Sequence, residues 1–353
     1  MNPKHGLPVG YQDNGKIKYK SVYARTLSGV KEKMSKMYSV RQNRAASPMK
    51  LTVTDAAEQW LSSAKLRVKE SSYANYENIV SKHIIPILGG EYMSNLTTQK
   101  LNDFIHYKLN SGRLNSKGGL SAKSVRDIMT VYRSIEAYVA REYGIKGTHF
   151  TMPKIEKKQT DVLNVFERKR LENYLIHNQN STNISVLLCL FTGLRIGELC
   201  GLKWGDIDFQ NGTVSVLRTV QRINKHGKSE VVIGSPKSKS SIRIVPIPEF
   251  LLAILKKKRK NDDFYIITGT CKPTEPRTMQ NRFKSVLKLC GIRDVNFHLL
   301  RHTYATVCIE NGFDPKTLSE LLGHADASIT LNRYVHSSMQ MKKKYVSRLR
   351  LTA

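Results

Sequence analysis

From Leu51 to about Gly144, apolar residues return at intervals of three and four, in Val53, Ala56, Ala57, Trp60 and Leu61 and again around Tyr76, Ile79 and Ile84. That is the period of helices with one buried face. Thr52 or Thr54 can cap the first of them. Further helices are predicted from Thr98 to Asn110 and from Ser121 to Glu142, with the polar, glycine-containing loop Ser111 to Gly119 between them. The residues before Leu51 follow another pattern. Tyr11 to Arg25 alternates around Asn14-Gly15, a dipeptide suited to tight hairpin turns, and a helical run from about Ser28 to Val40 follows. Arg41 to Pro48 has the composition of a linker.

A second linker, Met152 to Thr160, precedes a helix from about Asn164 to His177, a buried helix through Leu187 and Leu190, and a helix carrying Arg195. Three strands are expected around Thr213 to Gln221, Ser229 to Gly234 and Ser241 to Pro246, forming one sheet, followed by a helix from Phe250 to Lys258. Asp314-Pro315 opens another helix with a capping acid and a proline at its first position, and Gly323 ends it. The tail from Ser337 to Ala353 is basic, with apolar residues at Met339, Met341, Val346, Leu349 and Leu351. The fold class is thus multidomain, mainly α with small β-sheets. Residues 1–48 form a small sheet plus helix, 49–150 a helical bundle, 160–336 an α+β domain and 337–353 a tail. A chain of 353 residues is long enough for two or three such domains.

Charge narrows the class of partner. Lysine and arginine number 58 against 28 acidic residues, for a formal net charge of +30, far beyond what solubility requires. The cations are spread over the whole chain, which suits a protein wrapped on a polyanionic duplex better than a globule with one basic tail. No apolar run approaches the roughly 20 residues needed to span a bilayer. Met1 to Gly6 holds no hydrophobic core of a signal peptide, so a cytoplasmic, nucleoid-associated location is expected. Five cysteines, Cys189, Cys200, Cys271, Cys290 and Cys308, include no Cys-x-x-Cys pair and fit reduced thiols.

The chemical residues concentrate in Thr192-Gly-Leu-Arg195-Ile-Gly-Glu198-Leu199, His298-Leu-Leu-Arg301-His302, Leu322-Gly-His324 and Thr330-Leu-Asn-Arg-Tyr334-Val-His336. A phosphodiester gathers negative charge as its phosphorus becomes five-coordinate, and two arginines suit it because each guanidinium stays charged and offers a planar fork. A tyrosine hydroxyl can attack phosphorus and store the bond energy as a phosphotyrosine, so that rejoining needs no ATP. His298 lies one turn before Arg301 on the same face and can take or return the tyrosine proton. Bland readings exist for each residue alone: Arg195 can pair with Glu198 at i, i+3 on a helix surface, and a C-terminal tyrosine is usually an interface residue. His298 and His302 have a spacing that can hold zinc, though no third ligand stands at a convincing position.

The order Arg, Lys, His-x-x-Arg, Gly-His, Tyr resembles the phage integrase (tyrosine recombinase) family over most of the chain. The resemblance implies that Arg195 and Arg301 clamp the scissile phosphate, Tyr334 attacks, His324 donates to a non-bridging oxygen and Glu198 orients the cluster. Ser235 to Pro246 looks like the family's hairpin that delivers a lysine as acid for the leaving 5'-hydroxyl, assigned to Lys237 with Lys239 as alternative. No metal or other cofactor is implied. Residues 1–48 resemble an arm-type DNA-binding domain of three strands and a helix, with a disordered basic tail as the other reading. Residues 49–150 resemble the helical, SAM-like core-binding domain, joined to the catalytic domain by a linker that lets the two close as a clamp. Candidate phosphate contacts are Lys16, Lys18, Lys20 and Arg25 in the first domain and Lys69, Lys82, Lys100, Lys117, Lys123 and Arg126 in the second, a solvated face being the default for any one of them.

The implied function is integration and excision of a mobile element by a homotetramer on double-stranded DNA, through a 3'-phosphotyrosine and a Holliday junction. An excisionase and a DNA-bending host factor are possible partners, and the tail 337–353 is expected to exchange between protomers. The alternatives are a Xer-like resolvase of chromosome or plasmid dimers, a type IB topoisomerase, and a DNA-binding regulator with a vestigial site.

Overall fold

The computed structural model describes residues 4–11, 17–23, 26, 28–29, 33, 50–115, 117–156, 161–225, 228–236, 239–334 and 347. It divides into two compact units, Met1–Ile155 and Glu156–Ala353. In the first unit, strands β1 (Lys4–Tyr11) and β2 (Ile17–Tyr23) pair antiparallel from Lys4↔Tyr23 to Tyr11↔Ile17. The register slips between Pro8 and Gly10, where proline has no N–H to offer the ladder. Among the described residues this sheet has two strands. The expected Asn14-Gly15 turn, Lys16, Arg25 and nearly all of the expected helix from Ser28 to Val40 lie outside the described residues.

The helical part of this unit follows the apolar period. Helix α1 (Val53–Lys65) buries Val53, Ala56, Ala57, Trp60, Leu61 and Ala64. Thr52 is its cap: the hydroxyl accepts from Asp55 N at 3.1 Å while the Asp55 carboxylate accepts from Thr52 N at 3.2 Å. Thr54 does other work, donating to the Gly89 carbonyl. Next come α2 (Glu70–Ile79), a π-helical stretch Val80–Ile84 and α3 (Ile85–Leu88). The π turn, which the sequence pattern does not announce, precedes Pro86. Proline cannot donate to the carbonyl four residues back, and the Ile85 N–H bonds instead to Val80 O, five residues back. Helices α4 (Thr98–Ser111) and α5 (Ala122–Tyr143) are capped by Thr97 and Ser121 and close the bundle core around Leu101, Phe104, Val125, Met129 and Tyr132.

In the second unit, α6 (Val165–His177) begins at Asn164, which caps it reciprocally with Glu167, α7 (Ser181–Thr192) is buried along almost its whole length, and the short α8 (Ile196–Cys200) follows. The strand expected from Thr213 to Gln221 is two strands. It breaks at Leu217 and Arg218, where the Arg218 guanidinium donates to Asp206 at 2.7 Å and to the Gly201 carbonyl at 3.3 Å and so pins the chain. The single expected sheet is therefore two sheets, β3 (Ile207–Asp208), β4 (Thr213–Val216) and β7 (Arg243–Pro246) in order β3-β4-β7, and β5 (Thr219–Lys225) with β6 (Lys228–Gly234).

Helix α9 (Glu249–Lys258) follows β7, and α10 (Pro276–Leu289) stands where the pattern reading names none, although Met279, Phe283, Val286 and Leu287 fall on one buried face. The chain then runs through α11 (His298–Glu310), α12 (Pro315–Leu322) and α13 (Ala327–Tyr334). Asp314 caps α12 by accepting from Lys316 N and Thr317 N. A large core spans α6 to α11, and a smaller cluster of Ala305, Cys308, Ile309, Leu318, Leu322 and Tyr334 joins α11, α12 and α13. Four cysteines are buried, Cys271 is exposed, and all five are unbridged. No helix among the described residues is long and apolar enough to cross a membrane.

Candidate active site

Two glycine turns bring the chemical residues together. Gly193, at φ +65°, ends α7 by donating to the Cys189 carbonyl, and two residues later Arg195 caps the short helix α8 (Ile196–Cys200) in an extended conformation. Arg195 therefore precedes its helix instead of riding on it. A Cβ on Gly193 would lie 2.5 Å from the Tyr304 ring and 2.9 Å from Leu322 Cδ2, so close packing as well as φ requires glycine. Gly323, at φ +64°, ends α12, and its own missing Cβ leaves room for Arg243.

Three guanidinium groups converge on these turns. Arg195 donates to the Glu198 carboxylate at 2.7 Å and to the Gly323 carbonyl at 3.0 Å. Arg301, almost wholly buried, donates to the Gly193 carbonyl at 2.8 Å and the Leu322 carbonyl at 2.7 Å. Arg243 donates from both terminal nitrogens to Glu198, at 3.2 and 3.0 Å, and from Nε to the Leu321 carbonyl at 2.6 Å. Burial pushes the Glu198 carboxyl up, but the Arg243 hydrogen bonds and the charges of Arg243 and Arg195 hold it below its usual range. Burial first, then the Arg195 charge, pull the Arg301 guanidinium down to about 9, which leaves it a cation at neutral pH. Three guanidinium groups around one buried carboxylate, two of them bonded to it and Arg301 held by backbone carbonyls, carry more positive than negative charge, the field an anion such as a phosphodiester needs.

The histidines and the tyrosine lie on the next layer. His298 is the first residue of α11 and is exposed, with its ring edge-on to that of His302 at 4.6 Å between centroids. His302 Nδ1 and the Tyr334 hydroxyl are 2.6 Å apart. The motif spacing gives the tyrosine proton to His298; a ring nitrogen of His302 lies at the hydroxyl. Tyr334 itself is 7% exposed, packed in the cluster of α11, α12 and α13. His324 follows Gly323, and its Nδ1 lies 2.8 Å from the Thr330 hydroxyl, which fixes the ring. Among the described residues no group of three or more His, Cys, Asp or Glu side chains is gathered where a metal ion could bind.

Arg195 and Glu198 thus come from the cap and body of α8, His298 and Arg301 from α11, and His324 and Tyr334 from the turn and helix that follow α12. Lys237 and His336 lie outside the described residues, as does the side chain of Lys239. Arg243 and Thr330 have no role assigned from the sequence, and His302 is weighed there only as a zinc ligand beside His298. In so basic a chain one more arginine on a strand carries no signal, whereas the placement of His302 directly after Arg301 was a visible one. Of the candidate DNA contacts, Lys69, Lys82 and Lys117 are exposed, Lys123 pairs with Asp127 at 3.1 Å, Lys100 pairs with Glu91 at 2.8 Å, and Arg126 donates to the Pro153 carbonyl. Lys18 and Lys20 sit on β2.

Residues 160–341 match the phage integrase family and residues 52–109 match the N-terminal SAM-like domain of phage integrases. Among curated proteins the chain is similar to a XerC-like tyrosine recombinase of Caldanaerobacter subterraneus subsp. tengcongensis, 28% identical and covering 97% of this chain and 94% of that protein. It is also similar to the ICEBs1 integrase of Bacillus subtilis strain 168, 24% identical over 88% of this chain and 85% of that one. The fold is like that of the Tn1549 transposon integrase in complex with a circular intermediate DNA, with a TM-score of 0.66 at 21% identity, covering 85% of this chain and 100% of the other.

Proposed function

Since the chain belongs to the phage integrase family and is a tyrosine recombinase family enzyme, we propose that it integrates and excises a mobile element by exchanging DNA strands at specific sites. The observation that carries this reading is the meeting of Arg195 and Arg301 at the Gly193 and Gly323 turns, with His324 directly after Gly323 and Tyr334 packed in the cluster that includes Leu322. In the proposed reaction Arg195 and Arg301 hold the non-bridging oxygens of the scissile phosphate, His324 donates a further hydrogen bond, and Glu198 fixes Arg195. Tyr334 attacks phosphorus, forming a 3'-phosphotyrosine, and the leaving 5'-oxygen takes its proton from Lys237. The free 5'-hydroxyl of the partner strand then reverses the step. Two duplexes with two strands each call for four active sites, hence a homotetramer passing through a Holliday junction.

Residues 1–48 are read as the arm-type domain and 49–150 as the core-binding domain. The net charge of +30 supports contact with duplex DNA along much of the chain. The length-wide similarity to a XerC-like recombinase favours a second reading, resolution of chromosome or plasmid dimers, and the similarity to an integrative-element integrase favours the first. The deciding test is a nicked suicide duplex carrying the element's junction, incubated in EDTA and scored for a denaturation-resistant protein–DNA adduct. Wild type is expected to form the adduct and Tyr334→Phe to form none. Specific binding without any adduct would replace the enzyme reading by that of a regulator. An adduct only with a chromosomal dimer-resolution site would favour the second reading.

A further inference from the structure

We propose that His302 is the general base for Tyr334, a role that rests on the reading of Tyr334 as the nucleophile. A free phenol titrates near 10, so roughly one in a thousand is ionised at neutral pH. Tyr334 is also packed among Ala305, Cys308, Ile309, Leu318 and Leu322 and is 7% exposed, so bulk water has little access to it. Attack therefore needs an acceptor already at the hydroxyl. Nδ1 of His302 is there, at 2.6 Å, inside the distance over which a proton passes to a general base. A neutral imidazole with its proton on Nε2 presents Nδ1 as that acceptor.

The geometry of α11 explains how the base and the phosphate clamp coexist. Successive residues of a helix turn by about 100°, so Arg301 and His302 look in different directions. Arg301 reaches the carbonyls of Gly193 and Leu322, and His302 reaches Tyr334 on α13. His298 is exposed on the first turn, and its ring stands edge-on to that of His302 at 84°, which limits how the His302 ring can rotate.

The step balances. As the tyrosine oxygen bonds to phosphorus, the phenol proton moves to His302 Nδ1, the bond from phosphorus to the 5'-oxygen breaks, and that oxygen is protonated by a separate acid. On rejoining, the imidazolium returns its proton to the departing tyrosine oxygen.

His302→Asn separates proton transfer from positioning, because the amide oxygen stands near the place of Nδ1 and accepts a hydrogen bond but cannot take the proton. With DNA binding measured alongside, His302→Asn is expected to slow adduct formation on the suicide duplex by about 100-fold. Replacing Tyr334 by a trifluorinated tyrosine, whose phenol ionises near neutrality, is expected to restore at least about tenfold of that loss. The same replacement in protein with His302 intact should change the rate little. A wild-type rate for His302→Asn, or a loss that the acidic phenol does not lessen, would overturn the assignment. If Tyr334→Phe is inert while His302→Asn is fully active, the base assignment alone fails; an adduct formed by Tyr334→Phe removes the reading of Tyr334 as well.

Discussion

Glu198 shows how one side chain can decide the state of a site. It is buried, yet it is held as a carboxylate by Arg243 and Arg195 together. Removing one partner of such a buried pair leaves a charge without its hydrogen bonds, at a cost of about 3–5 kcal/mol. Arg243→Ala is therefore expected to lower the urea midpoint of the catalytic unit by an amount equivalent to that figure, with Arg243→Lys retaining part of the loss-prone stability. Adduct formation should fall too, because Arg195 would then share Glu198 with water. An Arg243→Ala protein with unchanged stability would mean that the ion pair is not formed in solution. Arg243 could not be chosen from the sequence, since its partner lies 45 positions away and its Leu321 contact 78 away.

Turns and caps carry the next scale. Gly193 holds the carbonyl that receives Arg301, and an added methyl meets both a left-handed φ and the Tyr304 ring. The left-handed conformation alone costs roughly 1–2 kcal/mol, and overpacking adds about 1–3 kcal/mol. Gly193→Ala should thus lower the melting temperature and also slow adduct formation by shifting Arg301; a protein impaired in neither would refute the turn's role. Thr52→Ala provides the contrast. It removes a capping hydrogen bond from α1 in the other unit, which costs about 1 kcal/mol, and should leave adduct formation at saturating DNA unchanged. The helices α1, α4, α5, α6 and α12 were all legible from apolar period and cap residues within a few positions of their ends. The break between β4 and β5 was not, because it is imposed by Arg218 reaching Asp206 across twelve residues of chain.

For the whole molecule, charge sets how the protein meets DNA. If much of the +30 is spent on phosphate contacts, affinity for a non-specific duplex should fall by roughly a thousandfold or more between about 50 and about 200 mM salt. A flat salt response in a mobility-shift titration would mean that the cations face solvent. Assembly is tested at the same scale. An apolar cavity of about 720 Å³ in the catalytic unit is lined in part by Phe191, Ile247, Tyr304, Val307 and Phe313, and exchange of the tail 337–353 between protomers is the proposal to be tested. Val346→Asp is expected to leave monomer binding to DNA intact and to abolish tetramers on paired sites. Normal tetramers with that variant would remove tail exchange from the scheme.

The amino-acid sequence by itself determined the family, the mainly helical fold class and most of the residues gathered at the site, because periodicity, capping and short motifs are local properties that a chain states in order. Tertiary structure alone decided which histidine meets the Tyr334 hydroxyl, which arginine shares Glu198 and where the sheet divides. Those outcomes depend on hydrogen bonds between residues tens of positions apart, and distance along the chain says nothing of distance in space until the core has packed.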